Sequence, residues 1–462
     1  MAVAARRAML LALTLLTLAV PALPAAAQSA APPPAPASPG QTPCEQARVC
    51  ASGLSAAQVF AVAEAQAAAG RIAAAETLLR GLTRDPNGDI RAEARFRLSV
   101  LAEARGDRAA AIAWLKELID EKPGAPRPRL ELARLLALAG DEAGARRELR
   151  RAGAAGLPED VARVVDRFAL ALRSSRPIGG AFELALAPDS NINRATSLQS
   201  VDTVVAPLVL SPDARARSGI GVSLSGQGFA RAALSDRIEW LSRVSARADL
   251  YGRSQFNDVV LTLATGPELR AGGTRLRPAL VGTRRWFGGV RFSDAVGGSF
   301  NLLRPLDRTS QIEAELTLLD SRFPAIPAQD GVLADLNIAY DRAFSPRFSG
   351  RVGARITRQD AREAFLANRT VAFDLLASRA FGKQLLFLQA VGSRLQGDAR
   401  DPLFGAVRRD TRVDLTAGLI LRRFTLHGLA PLIRITRTSS SSTIPIFDFS
   451  RTRVEFALSR EF

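Results

Sequence analysis

From about residue 179 to the end of the chain, apolar and polar side chains alternate. In 237–250, Ile238, Trp240, Val244, Ala246, Ala248 and Leu250 oppose Arg237, Glu239, Arg243, Arg247 and Asp249. In 411–423, Val413, Leu415, Ala417, Leu419 and Leu421 oppose Arg412, Asp414, Thr416 and Arg422. The last twelve residues set Thr452, Val454, Phe456, Leu458 and Phe462 against Arg453, Glu455, Ser459 and Glu461. Successive side chains of a strand point to opposite faces, so each such segment meets apolar surroundings on one side and water on the other. Fourteen such strands are expected, centred near 184, 223, 243, 263, 280, 296, 314, 337, 352, 375, 390, 417, 433 and 456. Short turns (232–236, 271–273, 344–347, 382–383, 424–428) alternate with longer links (188–215, 320–331, 358–369, 396–410, 437–450), and 288–289 is the exception. A soluble sandwich alternates too, but it does not sort its connections by length. The pattern predicts a transmembrane antiparallel β-barrel of about 14 strands with a watery lumen. Closure removes the sheet edges that lipid could not satisfy. An even strand number returns both ends of the barrel to one side of the membrane.

Between 51 and 176 the period becomes helical. Gly70-Arg71, Gly106-Asp107 and Gly140-Asp141 recur 36 and then 34 residues apart, each followed by small residues and leucines such as Ala74, Leu78, Ala110, Leu115, Ala145 and Leu149. Asp85-Pro86 and Lys122-Pro123 close two of the units. A unit of helix, glycine turn, helix and proline stop at this spacing resembles the tetratricopeptide repeat, and three units are about the minimum that buries a continuous core. The resemblance implies paired helices with a concave face for protein segments; a plain helical bundle serving as spacer is the alternative. The expected fold class is therefore α plus membrane β, with N-terminal helical repeats and a C-terminal barrel.

The amino-terminal stretch fixes the rest of the organisation. Arg6 and Arg7 precede an apolar run from Ala8 to Val20, then Pro21, Pro24 and Ala25-Ala26-Ala27. This reads as a secretory signal peptide over 1–27, too short in its apolar run to span a bilayer. Residues 28–50 form a Pro/Ala-rich linker, 51–176 a periplasmic repeat domain, and 177–462 the outer-membrane barrel. A strand that ends on an aromatic residue is expected to serve as the signal read by the barrel-assembly machinery, carried by Phe456, Leu458 and Phe462. Cys44 and Cys50 lie six residues apart, a possible disulfide in an oxidising compartment.

Composition removes several functions. The formal charge of +17 suggests nucleic acid, but lysine occurs only at 116, 122 and 383, and the arginines are scattered without interleaved aromatics. They are expected to line the lumen or to meet anionic lipid at the rim, so no nucleic-acid partner is expected. No enzyme activity is expected either: Asp189 and Ser190 lack a nearby histidine, the single histidine is His427 at an expected turn, and no metal-ligand set or cofactor motif is present. An aromatic girdle is expected from Trp240, Trp286, Phe256, Phe287, Phe344, Phe381, Phe424 and Phe462. Pro431 in the penultimate strand removes a ladder donor where a closed barrel has no edge.

One segment carries more specific information. Pro188-Asp189-Ser190-Asn191-Ile192-Asn193 follows the first strand, and its Asp, Ser and Asn side chains suit tight turns bonded to their own backbone. On its own it reads as a rigid loop. Placed after the repeats and at the start of a fourteen-strand barrel, it resembles the signature of the surface lipoprotein assembly modulator (Slam) family, matching at Pro188, Asp189, Ser190, Asn191 and Asn193. The resemblance implies an outer-membrane translocator whose partners are outer-membrane lipid and a protein client, either a surface lipoprotein or a secreted haem- or metal-binding protein. An exopolysaccharide exporter with periplasmic repeats, or a passive pore, is the alternative.

Overall fold

The structure, a computed structural model, describes residues 53–155, 177–235, 237–271, 273–424 and 429–460. The signal-peptide and linker readings, Cys44, Cys50, His427 and Phe462 lie outside them.

Six helices come first: α1 Ala56–Ala68, α2 Ile72–Leu82, α3 Gly88–Ala104, α4 Arg108–Glu121, α5 Pro126–Ala139 and α6 Glu142–Gly153. They form three antiparallel pairs, each turning on one of the glycines singled out above. Gly70, Gly106 and Gly140 all have positive φ, 75°, 78° and 95°, which glycine adopts without a Cβ penalty. Asp107 and Asp141 then cap the following helices, each accepting a bond from the amide three residues on. The pairs stack through Leu98, Leu115, Leu118 and Leu135, all fully buried, each worth about 1.5–3 kcal/mol of apolar burial. Alanines 75, 94, 102, 111 and 133, also fully buried, let the helix axes approach. Among the described residues no helix is long and apolar enough to cross a membrane.

The strands begin at Ile178. In order they are β1 Ile178–Asp189, β2 Gly219–Ala233, β3 Ile238–Tyr251, β4 Asp258–Ala271 and β5 Thr274–Phe287. Then come β6 Val290–Pro305, β7 Ser310–Arg322, β8 Gly331–Ala343, β9 Phe348–Gln359 and β10 Asn368–Phe381. Last are β11 Gln384–Arg400, β12 Val407–Leu421, β13 Leu429–Ser442 and β14 Phe449–Arg460. Each pairs antiparallel with its neighbours, and β1 pairs with β14, so the sheet closes into a barrel of fourteen strands. Outward positions such as Leu184, Val222, Leu280, Val296, Phe373 and Leu415 are large, apolar and exposed. So continuous a belt has no place in water and is the lipid face of a membrane barrel. Inward positions are mostly polar or small; an apolar patch of Ala185, Leu432 and Ala457 packs against Phe387 and Ile420, and Val281, Leu303 and Leu319 are buried against the lumen as well.

Three details differ from the sequence reading. The strands run further than the patterning suggests, so the links 396–410 and 437–450 shrink to 401–406 and 443–448. Polar strand ends such as Arg409, Asp410 and Ser439–Ser442 keep their ladders where the strands leave the lipid, and that composition reads as loop. Only 190–218 is long. Phe256 is not a girdle residue: it is buried in a short helical turn, and Phe287 packs on Phe292 with ring centroids 6.3 Å apart. Phe344, Phe381 and Phe424 do face outward near the short-turn end. Pro431 interrupts little, because the ladder to β12 ends at Leu432. The real interruption lies elsewhere. The β4–β5 ladder skips from Thr265↔Leu280 to Leu269↔Leu276 around Pro267 and Pro278.

Candidate functional site

Two buried carboxylates, one at each end of the barrel, organise the charged interior. The first sits at the short-turn end. Gly140 turns the chain, Asp141 caps α6, and Glu142 becomes the first helical residue, where a carboxylate also meets the helix dipole favourably. Its side chain is 4 % exposed and points into the barrel mouth. Arg231 of β2 donates through Nη1, Arg275 of β5 lies at 2.9 Å, Arg146 of α6 and Arg270 of β4 at 3.4 Å, and Arg277 of β5 at 3.8 Å. Burial by itself would raise the pKa of Glu142; Arg231, Arg146 and Arg275 outweigh it and hold the carboxyl well below the usual range. Glu268 joins the cluster through Arg270 at 2.6 Å and Arg277, and Glu239 through Arg270 at 3.7 Å.

Helices α4, α5 and α6 also touch the barrel around this point. Arg129 of α5 donates to Glu148 at 2.5 Å, to the Pro123 carbonyl at 2.9 Å and to the Pro346 carbonyl of the β8–β9 turn at 2.8 Å. Arg150 reaches Gln311 of β7 at 2.6 Å, and burial lowers its pKa to about 10 against the pull of Asp341. Lys383, in the β10–β11 turn, lies 3.3 Å from Glu117 of α4. Gly153 brings the end of α6 so close to the β6–β7 turn that an added Cβ would stand 2.7 Å from the Arg308 carbonyl oxygen. Between α6 and the lumen wall remains a cavity of about 730 Å³, into which Arg147, Arg150, Arg243, Arg275, Arg277 and Arg351 project.

The second carboxylate is Asp189, at the long-link end, and here the motif residues come together. Asp189 accepts from Arg451 Nε of β14 at 2.8 Å, lies 3.8 Å from Arg453, and takes the Asn191 amide at 2.9 Å. The Ser190 amide donates to the Thr452 carbonyl at 3.0 Å, and Ser190 Oγ accepts from the Thr452 amide at 2.8 Å. Asn191, 1 % exposed, donates to the carbonyls of Ala195 at 2.8 Å and Ser450 at 3.1 Å and accepts from the Ala195 amide. Asn193 ties the far side of the link, donating to the Asp213 and Arg215 carbonyls and accepting from the Arg217 amide. Three consecutive motif residues thus grip three residues of the last strand. They do so where that grip is needed. The β1–β14 ladder runs only from Glu183↔Ser459 to Asp189↔Arg453 and skips the positions of Ala187 and Pro188. Below it on the lumen wall, Arg453 binds Asp249 at 2.7 Å and Glu455 at 3.1 Å, while Arg434 binds Glu455 at 2.5 Å and Glu183 at 2.7 Å.

Pro188 faces outward opposite Ile220, and Phe456 and Leu458 are exposed on the lipid face of β14. The mouth cluster escaped the sequence reading because its members are spread over 135 residues. A signal did exist: Ile72 and Arg108 follow the first two repeat turns, and Glu142 follows the third.

A tetratricopeptide repeat model matches residues 102–165, a span that takes in α4, α5 and α6. Comparison with curated proteins gives no match. Among solved structures, a bacterial polysaccharide outer membrane secretin is 12 % identical with a TM-score of 0.34 over 61 % of this chain and 98 % of that one. The CymD monoaromatic hydrocarbon channel is 10 % identical, TM-score 0.37, over 68 % and 97 %. The P. putida toluene transporter TodX is 14 % identical, TM-score 0.34, over 63 % and 92 %.

Proposed function

We propose that the protein is an outer-membrane translocator of the kind its signature loop resembles, the surface lipoprotein assembly modulators. Its repeats stand in the periplasm, take hold of an exported protein client, and deliver it through or along the barrel. The client is a surface lipoprotein or a secreted haem- or metal-binding protein. The observation that carries this reading is the seating of the third repeat pair on the barrel mouth, with Glu142 among the lumen arginines. A peptide held on the concave face of the array is thereby held at the entrance, with α6 beside the lumen cavity. Energy for transport comes from folding or lipid insertion of the client on the far side. Barrel-assembly machinery places the protein through its last strand, Phe456 and Leu458 included.

The test is surface exposure of the lipoprotein or small secreted protein encoded beside this chain, probed with antibody and protease on intact cells. Exposure that requires the chain, and is lost when α1–α6 are deleted from an assembled barrel, is the expected result. A polysaccharide or small solute crossing in its place overturns the reading in favour of an exporter or a passive pore.

A further inference from the structure

The mouth cluster is richer in positive charge than its own acids can neutralise. Among the described residues, five guanidinium groups, Arg146, Arg231, Arg270, Arg275 and Arg277, surround three carboxylates, Glu142, Glu239 and Glu268. Removing α6 takes away Glu142 and Arg146 and leaves four arginines with two glutamates, an excess of two positive charges on the barrel wall. The arginines are also incompletely used. Arg231 and Arg275 each reach Glu142 through Nη1 alone, and their Nε atoms are buried with no hydrogen-bond partner among the described residues. A guanidinium offers its Nε and Nη groups as a fork that fits a carboxylate with two parallel bonds. A buried donor left unpaired keeps its desolvation cost without the bond that would offset it.

We propose that Arg231, Arg270, Arg275 and Arg277 form a receptor for an acidic peptide segment, and that Glu142 occupies it in cis until such a segment arrives. The proposal rests on the reading of the protein as a translocator for the identity of the ligand, a carboxylate-bearing stretch of the client. A stretch with two or more carboxylates meets the charge excess and the free Nε donors better than the single Glu142 does. It therefore displaces Glu142, and α6 leaves the mouth with it. A ligand shifts such an equilibrium only by its preference for one state; here the preference comes from the extra carboxylate. Displacement opens the roughly 730 Å³ space beneath α6 to the periplasmic side, so recognition and opening are one event.

The experiment uses the full chain in planar bilayers, with ionic current as the readout and no client present. It therefore succeeds or fails independently of the surface-exposure test. Hexaglutamate added on the repeat side of the wild-type protein is expected to raise the frequency of open events about ten-fold, and hexalysine and inorganic phosphate are not. Glu142→Gln is expected to open without peptide and to pass anions in preference to cations. Glu142→Gln with Arg275→Gln is expected to stay open and to lose part of that anion preference, its barrel checked by heat-modifiable migration. Wild-type current that ignores hexaglutamate, or Glu142→Gln that opens no more often than wild type, overturns the proposal. Phosphate as effective as the peptide reduces the cluster to a simple anion site and overturns the assignment, as does an oligouronate that acts at lower concentration than hexaglutamate.

Discussion

The two ends of the barrel each hold a carboxylate under arginines, yet the two clusters are built from different pieces of chain. At the long-link end, Asp189 closes β1, and its partners Arg451 and Arg453 belong to β14. Both sides are parts of one closed sheet, so separating them means opening the barrel. At the short-turn end, Glu142 belongs to α6, whereas four of its five arginines belong to β2, β4 and β5. Separating those leaves the sheet closed and means lifting a helix off it, with the bond from Arg150 to Gln311 broken as well. The charge counts differ as well. Arg451, Arg453, Arg434 and Arg247 stand against Asp189, Asp249, Glu455 and Glu183 at one end, while among the described residues five arginines stand against three glutamates at the other. Similar composition thus serves as a staple where the sheet already joins the two sides and as a latch where only side-chain contacts such as Arg129 to Pro346 and Arg150 to Gln311 do.

The comparison breaks most visibly at the staple. Asp189→Ala leaves Arg451 buried without its carboxylate, and breaking a buried pair in this way costs about 3–5 kcal/mol. The yield of heat-modifiable folded barrel is expected to fall sharply. An undiminished yield would mean that the seam does not depend on this cluster. Glu142→Ala removes an equally buried carboxylate, but its cost is expected in docking. The barrel is expected to melt within about 1 kcal/mol of wild type, because its mouth arginines meet water once α6 lifts and then count as surface residues, while protease cleaves the α5–α6 region faster.

The same residue gives the latch a pH signature. Because the folded state holds the Glu142 carboxyl well below its ordinary value near 4.5, its contribution is complete above that value and is lost as the pH falls further. Docking, followed by protease access to α6, is expected to be flat from neutral pH down to about 5 and to weaken only in stronger acid. A transition near pH 6.5 would point to some other group. Asn191→Ala comes next in size. It removes two donated bonds and one accepted bond from a buried amide and exposes their partners, for about 1–3 kcal/mol, read as a lower unfolding temperature of the barrel with α6 still protected.

How much of this was legible depended on how far apart the contributing residues lie in the chain. The period-two alternation around Trp240, Leu415 and Phe456 is local, and so is the glycine spacing of the repeats; barrel and array could both be read from them. Asp189-Ser190-Asn191 could be read as turn chemistry because Asx bonds are made within two or four residues. Their partners in β14 lie some 260 residues later, and no local pattern announces that pairing. Glu142 was hidden for the same reason, since an acid in a first helical turn is explained well enough by the dipole. Phe256 misled because an aromatic beside a strand end looks the same in sequence whether it faces lipid or folds under a turn.

The smallest effect is the most discriminating, because it carries two signs. Gly153 ends α6, and replacing glycine by alanine within a helix normally gains about 0.5–1 kcal/mol by limiting the unfolded backbone. The same methyl would stand 2.7 Å from the Arg308 carbonyl oxygen in the β6–β7 turn, closer than contact allows, and overpacking of this kind costs about 1–3 kcal/mol. The helical array is therefore expected to become slightly more heat-stable, followed by circular dichroism of its helical signal, while α6 becomes easier to cleave. If both quantities rise or fall together, helix stability and docking are one cooperative unit, and α6 is then bound to the barrel no less firmly than Asp189 is. If they separate, the mouth holds its helix by contacts that the helix does not need in order to fold, which is what a removable latch requires.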